Sequence, residues 1–218
     1  MEIKGAIFDM DGLMLDTEKL YNRFWREAAA EFGYAMTYEH ALAIRSMNPV
    51  KGSAILKSFL GENFPYEEVK KRRRVLMKEY VEEKGVEKKK GLDELLIFLR
   101  NHQYKIAVAT SSNINRTRWY LTSVGVWKYF DKVICGDMVK QGKPEPDIYL
   151  TASQQLGLEP GQCMALEDSP TGILSAKRAG CHPVFVPDLD AADEQTKEMA
   201  EYIVNDLSEV ISLLRKEG

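Results

Sequence analysis

Few cysteines, few histidines, no long apolar run and no excess of either charge are the first facts about this 218-residue chain, and each removes a class of protein. Cys135, Cys163 and Cys181 are odd in number, widely spaced and without a Cys-x-x-Cys pair, so a disulfide scaffold is excluded. Each reads as a thiol that fills core space. His40, His102 and His182 are isolated from one another and form no zinc-spacing motif, so any metal would be a hard cation held by oxygen. No apolar stretch approaches the roughly 20 residues needed to span a bilayer, and a strand starting at Ile3 leaves no room for a signal peptide. A cytoplasmic protein with no membrane partner is the expectation. Lys and Arg number 30 against 33 for Asp and Glu, and a net charge of -3 offers no general attraction for nucleic acid. No Gly-x-Gly-x-x-Gly follows the first strand, which counts against a dinucleotide-binding module. Small-molecule chemistry is what remains.

What is present is an apolar run, Ala6-Ile7-Phe8, that ends in Asp9-Met10-Asp11-Gly12. A buried strand is an unusual place for two acids, because an ionised carboxylate is rarely left in a core without a partner. At the i, i+2 spacing of a strand both side chains share one face, so a single metal or phosphoryl group could meet both. Gly12 then permits a sharp turn, and Asp16 or Thr17 can cap a helix near Glu18.

Strand-like runs recur at Ile3 to Met10, Lys105 to Thr110, Lys132 to Cys135, Gln162 to Leu166, His182 to Val186 and Tyr202 to Val204. Helical patterns fall between them, at Leu92 to Arg100, Arg116 to Val124, Pro146 to Leu156, Gly172 to Ala179 and Leu207 to Lys216. Such alternation predicts an α/β fold, a doubly wound parallel sheet with helices on both faces and ligands beyond the carboxyl ends of the strands. The first gap breaks the rhythm. Between the paired acids and Lys105 the pattern is nearly all helical, with Leu20, Phe24, Ala28 and Phe32 four residues apart and Val69, Leu76 and Tyr80 on a second amphipathic segment. A discontinuous core of residues 1–16 and 87–218 is therefore expected, with a helical insert over 17–86. The runs Lys70-Lys71-Arg72-Arg73-Arg74 and Lys88-Lys89-Lys90 read as a solvated helix face or hinge.

Three later features would stand beside Asp9 and Asp11 in such a sheet. Ala109-Thr110-Ser111-Ser112-Asn113 is a hydroxyl-rich turn entering a helix, able to hold phosphate oxygens or simply to cap. In Gly142-Lys143-Pro144-Glu145-Pro146 two prolines stiffen the chain around one lysine before a helix begins. Leu166-Glu167-Asp168-Ser169-Pro170 ends another strand in two acids. Carboxylates for Mg²⁺, a hydroxyl and amide cradle, and a lysine together suit phosphoryl transfer.

On these four motifs the sequence resembles, over its whole length, the haloacid dehalogenase-like (HAD) hydrolase superfamily, in its β-phosphoglucomutase-like phosphatase branch. The resemblance implies a Rossmann-like core with an inserted helical cap. It also implies that Asp9 is the nucleophile that forms an aspartyl-phosphate and that Asp11 is the acid and base. By the same likeness Mg²⁺ is held by Asp9, the backbone carbonyl of Asp11 and Asp168, with Glu167 on one of its waters, while Thr110, the Ser111 amide and Lys143 take the phosphoryl group. Arg45, in the insert loop Arg45-Ser46-Met47-Asn48-Pro49, is a candidate contact to an anionic substrate. The implied function is a Mg²⁺-dependent phosphatase for a small organic phosphomonoester, with a sugar phosphomutase as the rival. Mutases of this branch carry a histidine about one turn into the first cap helix, where this chain reads Leu20-Tyr21-Asn22-Arg23. A phospho-accepting receiver domain is the reading from another class, and Asp9-Met10-Asp11 followed by a large insert counts against it.

Overall fold

The computed structural model describes residues 2–45, 47, 49–188 and 192–217. Ser46 and Asn48 of the insert loop, and part of the acidic loop after Asp188, lie outside the described residues. Two compact units are present, one of residues 1–16 and 87–218, the other of residues 17–86.

The first unit is built on six strands, β1 (Gly5–Phe8), β2 (Lys105–Thr110), β3 (Lys132–Cys135), β4 (Cys163–Glu167), β5 (His182–Phe185) and β6 (Tyr202–Ile203). They form one parallel sheet in the order β3-β2-β1-β4-β5-β6. The chain thus winds outward from β1 in both directions, and the order reverses where β1 lies between β2 and β4. Ligands of open α/β sheets bind at such a reversal, beyond the carboxyl ends of the strands. Register places Phe8 level with Val108 on one side and Leu166 on the other, so the residues that follow them emerge together. β1 is shorter than the apolar run suggested. Asp9 continues the ladder through its amide, which donates to the Leu166 carbonyl at 3.1 Å, before the chain turns away.

Among the described residues the second unit holds four helices, α1 (Thr17–Glu31), α2 (Tyr38–Leu42), α3 (Pro49–Leu60) and α4 (Tyr66–Lys84). Their own core joins Trp25, Ala28 and Ala29 of α1 to Leu56, Phe64, Tyr66 and Val69. Two details differ from the sequence pattern. Phe32 is 41% exposed, because α1 ends at Glu31 and the chain turns at Gly33 with φ of 83°. Within the Lys70–Arg74 run, expected to be solvated, Arg73 is buried, its guanidinium 4.5 Å from the Tyr21 ring centre and 5.2 Å from that of Trp25. It falls on the inner stripe Val69, Arg73, Met77 and Val81, four residues apart, where a flat cation can lie on aromatic faces.

The two connections to the insert run side by side. The Asp16 amide donates to the Glu87 carbonyl and the Lys89 amide to the Met14 carbonyl, each at 2.9 Å. Lys88, Lys89 and Lys90 then pair with Asp93, Asp188 and Asp206, so this second basic run fastens the returning chain to the core.

Among the described residues six α-helices complete the core: α5 (Leu92–Asn101), α6 (Ile114–Ser123), α7 (Asp147–Leu156), α8 (Pro170–Ala179), α9 (Glu194–Met199) and α10 (Leu207–Glu217). Strand alternation sends Ile7, Ala107, Ala109 and Ala165 to one face, where Ile148, Tyr149, Ala152 and Leu156 of α7 and Ala176 of α8 cover them. The small alanines let α7 lie close to the sheet. Asp9 follows Ile7 at a spacing of two, and it emerges toward that same covered face. The cysteines are free and buried, as their spacing suggested. No described helix is long and apolar enough to cross a membrane.

Candidate active site

Asp9, Thr110, Glu167 and Asp168 stand at the carboxyl ends of β1, β2 and β4, and all four are buried. One turn of chain brings in Lys143 from the segment before α7. Its ammonium donates to Asp9 Oδ1 at 2.5 Å, to Glu167 Oε1 at 2.5 Å and to the Ala109 carbonyl at 3.0 Å. The lysine therefore spans the ends of three strands. Glu167 is fully buried and held by more than the lysine: the Tyr149 hydroxyl donates to Oε1 at 2.6 Å and the Ser169 hydroxyl to Oε2 at 3.2 Å. Ser169 is also the N-cap of α8 and accepts the Gly172 amide at 3.1 Å. A Cβ at Gly172 would overlap the Glu167 carboxylate, and one at Gly12 the Asp168 carboxylate. Both glycines are needed for close approach of backbone to acid, and Gly12 also has a φ of 86°.

Asp9, Glu167 and Asp168 each offer a carboxylate oxygen within 4.8 Å of the others. The three acids outnumber the lysine that bridges two of them, Asp9 and Glu167, so these four groups taken together carry two negative charges more than positive ones when all are ionised. Burial pushes the Asp9 carboxyl up from an ordinary 3.8 to about 7, with Lys143 opposing and the charges of Glu167 and Asp11 adding to the rise. Burial also works against charge on Lys143, but Asp9 and Glu167 hold it above its ordinary value. The two directions agree with a simple count. One cation shared by two acids is secured twice, while each acid is only half compensated. Burial, then the charges of Glu167 and Asp9, lift the Tyr149 hydroxyl well above its ordinary range, which keeps it a neutral donor. A divalent cation fits this donor set: the ligands are all oxygen, and its charge matches the excess.

The rise at Asp9, owed first to burial, sets a sign for pH dependence. Asp9 binds its proton more tightly when folded than when unfolded, so without metal its contribution to stability falls as pH rises from about 4 to about 7 and is level outside that window. Urea titrations in chelator should show the parent losing stability relative to Asp9→Asn across that interval. A pH-independent difference would contradict the raised Asp9 carboxyl.

Asp11 lies two residues beyond Asp9, bridged to Leu15 across the Gly12 turn. Its side chain takes no part in the group of three acids. The Ser112 hydroxyl donates to Oδ2 at 2.9 Å and Arg116 Nη2 to Oδ1 at 2.5 Å. Thr110, the last residue of β2, accepts the Ser112 amide at its hydroxyl, 3.2 Å away, which curls the hydroxyl-rich turn over the strand end. Ser111 is exposed at the start of that turn. Arg45 lies in the helical unit, where it pairs with Glu18 at 3.4 Å.

The sequence reading did not single out Arg116, Tyr149, Ser112 as a partner of Asp11, or Ser169. Arg116 had a signal, since it stands four residues after Ser112 on the helix that the turn opens, the spacing at which side chains meet. Tyr149 had none beyond its place on the covered face of α7.

A doubly wound sheet whose central strand ends in acids, with a lysine and further acids from neighbouring strand ends, defines an α/β enzyme that works through carboxylates. The chain belongs to the haloacid dehalogenase-like hydrolase family, whose pattern matches residues 6–186. It is similar to the phosphorylated carbohydrates phosphatase of Thermotoga maritima, with 33% identity over 84% of each chain. It is likewise similar to the fructose-1-phosphate phosphatase YqaB of Escherichia coli, with 30% identity over 84% of this chain and 95% of the relative. Among solved structures, a β-phosphoglucomutase-like protein of Thermotoga maritima superposes with a TM-score of 0.82 at 32% identity, covering 99% of both chains. A HAD family hydrolase of Deinococcus radiodurans with bound phosphate and sodium gives 0.82 at 25% identity, covering 99% of this chain and 96% of that one.

Proposed function

We propose that this hydrolase is a Mg²⁺-dependent phosphatase of small organic phosphomonoesters, sugar phosphates among them, working through an aspartyl-phosphate on Asp9. The observation that carries the reading is the separate placing of two acids two residues apart. Asp9 sits in the pocket with Lys143, Glu167 and Asp168, and Asp11 is held apart from them by Ser112 and Arg116. In this scheme a carboxylate oxygen of Asp9 attacks phosphorus, the ester P–O bond breaks, and Asp11 delivers a proton to the departing alkoxide. Water then attacks the acyl phosphate, Asp11 takes its proton, and alcohol and inorganic phosphate are the products. Lys143 and the Thr110 hydroxyl would face the phosphoryl oxygens, with the Ser111 amide beside them. Asp9, Asp168 and the main-chain carbonyl of Asp11 would hold Mg²⁺, and Glu167, already committed to Lys143, Tyr149 and Ser169, would act on it through water. When bound, the metal supplies positive charge to the equatorial oxygens.

The curated relatives named as phosphatases of phosphorylated sugars support the substrate class. The helical unit is read as the cap that sets specificity, with Arg45 as a contact to the substrate. A phosphomutase is the second reading, favoured by the likeness to the β-phosphoglucomutase-like structure and disfavoured by the absence of histidine in Leu20–Arg23.

Two assays test this. Chelation by EDTA should stop turnover and Mg²⁺ restore it, and activity indifferent to chelator would remove the metal. In a steady-state screen of phosphate esters, including β-glucose 1-phosphate with and without its bisphosphate, free phosphate should be the main product. Isomerised sugar phosphate forming faster than free phosphate would favour the mutase.

A further inference from the structure

We infer that Arg116 is a positioning residue for Asp11, holding its carboxylate where it can reach the leaving oxygen. The inference rests on the reading of Asp11 as the general acid and goes beyond it. Arg116 divides its fork between two partners, Nη1 to the Ser112 hydroxyl and Nη2 to Asp11 Oδ1, both at 2.5 Å. Ser112 closes the triangle by donating to Asp11 Oδ2 at 2.9 Å. A carboxylate bonded at both oxygens, by Ser112 of the turn and by Arg116 of the helix that follows it, is restrained about its own side-chain torsions.

The arginine is itself fixed. Its backbone amide donates to the side chain of Asn113, the N-cap of α6, at 3.0 Å, and its guanidinium lies 5.1 Å from the ring centre of Tyr120 one turn on. Lysine, a single-nitrogen point charge, lacks the planar fork that directs two nitrogens to the two partners. The pair is partly open, with the Arg116 side chain 28% exposed and that of Asp11 18% exposed, so it contributes little to stability. A residue placed this way acts on orientation, and misorientation of a catalytic group is costly in rate.

The leaving group provides the test. 4-Nitrophenolate departs without a proton, whereas the alkoxide of benzyl phosphate needs one, so a defect in the acid shows on the second ester alone. Arg116→Ala should lower kcat/KM for benzyl phosphate by about tenfold or more, and for 4-nitrophenyl phosphate by less than about threefold, with unchanged thermal unfolding. Added guanidinium should recover part of the loss, Arg116→Lys should fall between, and Arg118→Ala on the same helix should behave as the parent. In an Asp11→Asn background the Arg116→Ala change should add nothing on benzyl phosphate. Equal losses on both esters, a rise in KM alone, or additivity with Asp11→Asn would overturn the inference. If Asp11→Asn itself turns over benzyl phosphate normally, the general-acid reading has failed, and the positioning role falls with it.

Discussion

Asp9→Asn is expected to cut turnover by about four to six orders of magnitude while the protein stays folded. The amide oxygen that replaces the carboxylate is a poor nucleophile, and on the proposed reading the charge that would face the metal is gone. The fold should survive for a reason visible in the pocket: Lys143 keeps Glu167 as its partner, and a group that burial already biases toward its neutral form is exchanged for a neutral one of the same shape. Metal-free stability above pH 7 should therefore equal or exceed that of the parent. Phosphate release and urea unfolding on the same preparation check both halves. Turnover within tenfold of the parent would remove Asp9 from the chemistry, and a collapsed fold would show that its role is structural.

The sheet was legible because its strands are short apolar runs ending in residues that do not belong in a core. β2 and β3 match their expected bounds, and β4 is displaced by one residue so that Glu167, expected just past the strand, is its last member. A charge at a strand end is a strong marker in a parallel sheet, where most strand positions are buried on both faces. What sequence could not supply was the wiring between strand ends. Lys143 bonds to Asp9 across 134 positions and to Glu167 across 24, and Arg116 reaches Asp11 across 105. No local periodicity encodes such distances. Arg73 escaped for a related reason: a helix face counted by hydropathy scores arginine as solvated, and its burial depends on two aromatic rings from another helix.

Lys143→Met is expected to have the second largest effect, and it separates the structural work of the lysine from its chemical work. Methionine keeps most of the length and volume of the stem while removing the ammonium, so packing against Tyr149 should change little. Charge is another matter. Glu167 is wholly buried and would retain only Tyr149 and Ser169 as donors, and Asp9 would lose its one strong counter-charge. Removing one partner of a buried ion pair costs about 3–5 kcal/mol, so in EDTA the urea midpoint should fall sharply. On the proposed reading Mg²⁺ would bring positive charge to the same acids, and adding it should recover much of the lost stability. Turnover should not return with it. The phosphoryl group would still lack a fixed cation opposite Asp9, and the loss of one such electrostatic contact is worth about 10²–10³-fold in rate. Stability unchanged in chelator would mean that the buried acids are neutral and the ion-pair account is wrong. Turnover restored by Mg²⁺ along with stability would confine Lys143 to holding Glu167 in place.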